Sequence, residues 1–511
     1  VADSFGETSY DDLVNLFKEF REFHKPQLIG GVPDYTPATM KKQKVGLKKF
    51  QARLTAIDPN GWPISQQVDY HLVRAEMNGL DFHHRVLRPW SKNPDFYTPK
   101  EFAHRTIPEP PLEADVLHEF RALLKTTPGF LKQAPGNLVE GSGELAILAM
   151  TSLKFAGKFL ADLEPKMPEH HPELVTDLKN TLAAINEYYD WLSQNKGKMK
   201  TPSGVGIDNY NWWLKNVWLF PYTWEDCRTI LEREYGRSLA HLKLMENRNR
   251  SLPPAMLATT EEGYALRYLE AEEELLTFLR NEEFFTVPDF LRGTGPDVVA
   301  PAWNGPERQS GIREFFENLS DRDPQQQIIH NFAGHYYDEL LLRRDDRPIR
   351  GVRRLYNIDN VRAEGPATGL EEALMVAGLF EDRPRGKETV YIGSAYRAIR
   401  GLADLRMHSN EFSYSEAVDF DVKMCPNGWA VKEGYTIWAH KSNTPLVPGF
   451  EMSYTMGKVQ LDKLIAERAA QLGNKFNLRE FMDELRSYGM IPFALIRWEM
   501  TGLDDEIKKL W

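Results

Sequence analysis

Apolar residues recur every three to four positions over much of the chain. In residues 8–24, Leu13, Leu16, Phe17, Phe20 and Phe23 form one stripe, the pattern of a helix with a single buried face. Segments 114–126, 144–163, 172–194, 224–247 and 261–281 repeat that periodicity. Alternation with a period of two is scarce; the best strand candidate is 428–439, with Trp429, Val431, Tyr435 and Ile437. Helix starts are marked near the C-terminus. Ser413 with Glu416 has capping-box spacing, and Asn477 with Glu480 repeats it ahead of a helix ending near Gly489, with Pro492 beyond as a stop. The run Pro108-Glu109-Pro110-Pro111 and the Pro/Gly-rich stretch 293–306 read as loops, the second as a rim or lid for whatever lies just downstream. The pattern predicts a mainly α protein: a large helical domain around a deep cleft, with a small β element. The Lys/Gly-rich Asn195-Lys196-Gly197-Lys198 marks a soft boundary. It separates an N-terminal helical region, 1–200, from a C-terminal helical region, 201–511, within one compact unit.

Composition narrows the class. A chain of 511 residues with 42% hydrophobic and 27% charged residues is ordinary for a globular protein with a sizeable core. The net charge of -11 and the lack of a prominent Lys/Arg run argue against nucleic acid as a partner. No stretch reaches the ~18 apolar residues of a membrane span; the most apolar segment, 145–160, is interrupted by Lys154 and Lys158. Cys227 and Cys425 lack metal-site spacing and read as buried thiols. The opening Val-Ala-Asp-Ser-Phe-Gly is compatible with a removed signal peptide, hence with an exported protein, and equally with a cytoplasmic one.

Candidate chemistry centres on His330-Asn331-Phe332-Ala333-Gly334-His335 and on Glu364. Two histidines followed by a glutamate on the next helix are the parts of a His-His-Glu zinc site. In the usual His-Glu-x-x-His arrangement the glutamate after the first histidine activates the attacking water; here that position is Asn331. His330 and His335 are five residues apart, about 140° around an α-helix, so they share a face only if the helix bulges or ends at Gly334. Glu364 precedes Gly365-Pro366, which predicts a helix over 366–380 with Glu364 at its mouth. Glu371 would need a cation or donor if it faced inward, whereas Glu372 is expected to face water. Arg400, Asp404 and His408 are spaced four apart on one helical face, as a site with a proton-transfer histidine or as a solvent-facing ion-pair ladder. Tyr454 is a candidate donor to an oxyanion.

Taken together, these residues resemble the domain of unknown function 885 family, a bacterial group with a zinc-peptidase-like signature. The family's Glu-Gly-Trp-Ala-Leu-Tyr-Ala-Glu-Glu-Leu is matched by residues 364–373, with Glu364, Glu371 and Glu372 in register. Its Arg-Leu-Val-Val-Asp-Thr-Gly-x-His is matched by Arg400, Asp404 and His408. Its Pro-Gly-x-x-x-Ser-Tyr-x-x-Gly is matched by Pro448, Gly449, Ser453, Tyr454 and Gly457, and a final Gly-x-x-Pro by Gly489 and Pro492. Order and spacing agree over about 310–500. The chain departs at the first motif, His-Glu-Gly-x-Pro-Gly-His-His. Either alignment of His330 and His335 leaves no carboxylate at the glutamate position. Tyr336 stands at the second histidine of the Gly-His-His, and Pro366 replaces the tryptophan.

The leading expectation is therefore a divergent enzyme on a metallopeptidase-like scaffold. It would use metal-free acid/base chemistry, as a hydrolase or lyase, on a small organic molecule. His335, Glu364, Arg400, His408 and Tyr454 would be catalytic, with Tyr336, Glu371 and Asp404 binding substrate. One alternative is a zinc-dependent hydrolase or peptidase holding the metal through His330, His335 and Glu364. The other is a non-catalytic ligand-binding protein on the same scaffold.

Overall fold

The computed structural model describes residues 9–103, 110–291 and 313–510. The opening hexapeptide, the loop residues Pro108 and Glu109, and the stretch 293–306 lie outside them. The fold is mainly α with a small β element. The apolar stripes become helices where their period places them, including Tyr10–His24, Ala114–Asn137, Gly143–Leu163, Val175–Asn195 and Glu261–Asn281. The first is typical. Ser9 accepts from the Asp12 amide while the Asp12 carboxylate takes the Ser9 amide, and Leu13, Leu16, Phe17 and Phe20 are buried below. Two apolar clusters result. One spans residues 97–192; the larger joins helices from both ends of the chain. Cys227 and Cys425 are free buried thiols.

The β element is not where alternation placed it. It is a hairpin of Leu28–Ile29 and Val32–Pro33. Its Gly30-Gly31 turn has φ of 58° and 84°, which glycine adopts without steric cost. Segment 428–439 forms no strand. Asn427 and Gly428 turn the chain with φ of 60° and 65°, and Tyr435–Lys441 is a helix. The distant Glu314 carboxylate accepts from the amides of Tyr435 at 2.9 Å and Thr436 at 2.6 Å, so it caps that helix in trans.

Four long helices frame the site: α1 (Trp224–Arg248), α2 (Asn360–Ala377), α3 (Gly386–His408) and α4 (Ser453–Leu472). α2 begins at Asn360 rather than Pro366, so Pro366 is internal and Glu364 lies past the first turn instead of at the mouth. α2 and α4 meet backbone to backbone at Gly365 and Gly457. A Cβ on Gly457 would stand 2.5 Å from the Gly365 Cα, closer than any side chain tolerates. That crossing sets the depth at which Glu364 sits. Gly457→Ala is expected to lower stability by about 1–3 kcal/mol through overpacking. Gly197→Ala, where a Cβ meets nothing within 4 Å, should change it by less than about 0.5 kcal/mol. Urea unfolding midpoints of the two variants check this, and equal midpoints would refute the glycine crossing as a packing constraint.

Candidate functional site

The two histidines are brought together by a departure from α geometry. Residues Ile329–Tyr336 form a π-helical segment, and π hydrogen bonds join residues five apart, so His330 and His335 fall on nearly one face. Gly334 seats this segment on α2, where a Cβ would stand 2.6 Å from that of Ala367. The segment thereby faces Glu364. The Nε2 atoms of His330 and His335 are 3.1 Å apart, and Glu364 Oε2 lies 3.4 Å from the first and 3.2 Å from the second. Glu364 Oε2 is buried and receives no well-aligned hydrogen bond, so it faces a common point beside both nitrogens. His335 keeps 36% of its side chain accessible and Glu364 12%, so the cluster opens to solvent on the His335 side.

Behind His330 stands a second layer. Glu371, wholly buried, accepts from His330 Nδ1 at 2.9 Å and from Gln326 at 2.6 Å. Arg397 of α3 grips both of its oxygens at 2.7 and 2.8 Å. Burial pushes the Glu371 carboxyl up, but the Arg397 charge, then His330 and Gln326, outweigh it and hold the group below the usual carboxylate range. A carboxylate on Nδ1 fixes the ring orientation and leaves Nε2 for the cluster. At Glu364 burial again pushes the carboxyl up, and the His335 charge with the close approach of both imidazoles overcomes it and holds the group far down. Tyr454 of α4 stacks on His330 with ring centroids 6.2 Å apart and planes at 17°. The Arg400 guanidinium lies 4.8 Å from the centre of the Tyr454 ring. Burial, then the Glu364 charge, raise the Tyr454 hydroxyl, so it is protonated and able to donate.

Residues 329–500 match the DUF885 family, described as a bacterial protein of unknown function. The match covers about a third of the chain and includes every residue of the cluster and its second layer except Gln326. No curated protein matches the chain. Several solved structures share its fold. One is described as "a putative lipoprotein of unknown function from Shewanella oneidensis", with TM-score 0.70 and 16% identity, covering 96% of this chain and 100% of the other. The second is "the putative lipoprotein from Colwellia psychrerythraea", with TM-score 0.68 and 14% identity, covering 97% and 99%.

The matched segment distributes the other expected residues less evenly. Glu372 does not face water: it is buried and paired with Arg237 and, at 3.1 Å, with Lys458, because α2 is covered on that side by α1 and α4. Arg400, Asp404 and His408 do share a face of α3, but the face is buried, so they are no solvent-facing ladder. Asp404 accepts the amides of Gly449 and Glu451 at 3.2 and 3.0 Å. His408 Nε2 lies 3.1 Å from the Thr444 carbonyl and 3.7 Å from Asp404. These partners give Asp404 and His408 a task in holding the 444–451 turn rather than a place beside the histidines. Tyr336 stacks on Phe332 with centroids 5.7 Å apart. Nearby, Lys441 is buried between Asp421 at 2.6 Å and Glu451, which also faces Arg400 at 3.5 Å.

One residue was missed by motif reading. His440, on Tyr435–Lys441, has Arg400, Lys441, Glu364 and Arg397 as its charged neighbours. Burial, then those cations, hold it neutral, well below the usual histidine range, and its buried Nδ1 has no hydrogen-bond partner. No spacing rule or motif in the sequence links it to His330. A broad surface recess of about 550 Å³ lies elsewhere, lined by Gly143, Lys196, Lys200, Ser203, Asn410 and Ser413 among others.

His408 provides a pH test of the buried network. Burial holds it neutral, down at about 3, whereas in the unfolded chain it takes a proton near pH 6.5. Its contribution is therefore fully present above the unfolded value and is lost as pH falls below it. Between pH 6.5 and 5 the loss is about 2 kcal/mol from this group. His408→Gln should flatten the stability–pH curve by that amount, read from denaturant titrations at the two pH values. An unchanged slope would mean that His408 is not held neutral.

Proposed function

We propose that His330, His335 and Glu364 hold a zinc ion and that the protein is a metal-dependent hydrolase acting on a small organic molecule or peptide. The observation that carries this reading is the ligand-atom triangle of 3.1, 3.2 and 3.4 Å. Tetrahedral zinc with bonds of about 2.0–2.1 Å has ligand atoms about 3.3 Å apart. Two imidazoles and one carboxylate suit a catalytic site with an open fourth position. The buried Glu364 Oε2 without an aligned donor and the Glu371 carboxylate behind His330 fit the same group. When bound, zinc polarises a carbonyl and promotes ionisation of water.

The chain's own residues supply the remaining chemistry. Asn331 cannot take a proton, so the base must come from elsewhere. His440, neutral and with an unpartnered nitrogen, is suited to form a hydrogen bond with substrate or water, whereas the same burial and cations make it a weak proton acceptor. Tyr454, protonated and braced between His330 and Arg400, is suited to donate to the oxygen on which charge develops. The description of the two similar structures as lipoproteins supports a location outside the cytoplasm.

Metal-free acid/base chemistry remains the second reading, favoured by one feature: no carboxylate occupies the Asn331 position, so the usual metallopeptidase base is missing. In that case the Glu364–His335 pair itself would move the proton.

Elemental mass spectrometry separates the two. Protein purified without chelator is expected to carry about one zinc per chain. His335→Ala and Glu364→Gln should lose it, while His440→Ala and Tyr454→Phe keep it. Glu371→Gln should weaken zinc binding about 10- to 100-fold, as loss of such a supporting partner does. Zinc-free wild-type protein that also fails to take up added zinc would overturn the metal reading and leave the metal-free one.

A further inference from the structure

The chain is acidic, with a net charge of -11, yet residues 25–55 carry seven cations and one acid, Asp34, which is buried. Folding concentrates that charge. The helix Pro37–Thr55 buries Met40, Leu47 and Leu54 and exposes Lys41, Lys42, Lys44, Lys48 and Lys49. At 100° per residue, Lys41, Lys44, Lys48 and Lys49 surround Val45, which is 55% exposed in the middle of the outward face. None of these lysines has an ion-pair partner among the described residues, whereas Lys25 and Arg53 at the margins pair with Glu22 and Glu19.

Just before this helix the hairpin projects. Every residue from Lys25 to Gly31 is exposed, and Leu28 and Ile29 at its tip are 58% and 63% accessible. The projection is held firmly at its base. The Gln133 side chain accepts from the Tyr35 amide at 3.2 Å and donates to the Pro33 carbonyl at 2.8 Å, and Asp34 accepts from the Thr36 amide at 2.9 Å in the first turn of the lysine helix. Two large exposed apolar side chains next to a hairpin turn, in the segment leading into an unpaired lysine face, would be a solubility cost with no return in water.

We infer that this face docks on an anionic phospholipid surface, with Leu28 and Ile29 entering the interface and the lysines meeting the headgroups. Each lysine near an anionic bilayer strengthens binding about five-fold, and the attraction falls off within a Debye length, so it weakens with salt. A short apolar tip adds burial without spanning the bilayer. Docking of this kind does not require the zinc site.

Co-sedimentation of the full chain with vesicles tests it. Binding to vesicles of phosphatidylglycerol and phosphatidylcholine in equal parts is expected. It should fall at least ten-fold on pure phosphatidylcholine and weaken as salt is raised. The charge-reversed K41E/K44E/K48E/K49E variant should lose binding, and the single change Ile29→Asp should weaken it several-fold. Circular dichroism matching the parent shows that these exposed substitutions leave the fold intact. Equal binding to both vesicle types, no binding to either, or variants that bind like the parent would overturn the inference. So would tighter binding to a short DNA duplex than to the anionic vesicles.

Discussion

A single buried anion organises the centre of this protein. Glu371 has no accessible surface, and an isolated carboxylate there would be too costly to stay ionised. It stays charged because Arg397 meets both of its oxygens, Gln326 donates to one and His330 to the other. Those partners come from three different segments: α3, the short helix Gln325–Ile328 and the π-helical turn. Satisfying one carboxylate therefore locks three pieces of chain onto α2. Removing one partner of such an arrangement leaves an uncompensated charge, which costs about 3–5 kcal/mol. The same bond dictates the tautomer of His330 and so which nitrogen faces Glu364 and His335.

Close backbone approach is the second requirement, and small residues meet it. Gly334 lets the π-helical turn lie against Ala367, and the Gly365–Gly457 crossing lets α4 lie against α2. With larger residues at these points the Nε2 atoms of His330 and His335 and the Glu364 carboxylate would move apart. The buried network of Asp421, Lys441, Glu451 and Arg400 continues from the site into the fold. Within it Asp404 is pushed up to about 7 by burial and by the neighbouring Glu451 charge, so at neutral pH it is only partly ionised.

Much of this was legible in the residues. Helical periodicity pointed to the mainly α class and most of the long helices, because a stripe of apolar residues on a helix can be buried only one way. The Glu371 position, read as needing a cation if it faced inward, found Arg397. Other points misled for identifiable reasons. A five-residue spacing of histidines is poor for one site on an α-helix, but the π-helical turn brings that same spacing onto one face. Pro366 suggested a helix start, yet α2 begins earlier at Asn360. The strand expected over 428–439 failed because Glu314, more than a hundred residues away, caps a helix there. Glu372 was expected in water because spacing along α2 cannot reveal that α1 and α4 cover that side.

The sequence by itself determined the class of fold, the order of the helices, their caps and the identity of the polar residues available for chemistry. Those are local properties, set by periodicity, side-chain donors and backbone preference. Tertiary structure alone decided which polar residues meet. It joined His330, His335 and Glu364, buried His440 within range of the Glu364 charge, and assigned Asp404 and His408 to a buried turn. The physical reason is that pairing of buried charges and contact of backbones depend on distances through space. Side chains far apart in the chain, such as Glu314 and Tyr435, acquire those distances only when the helices pack.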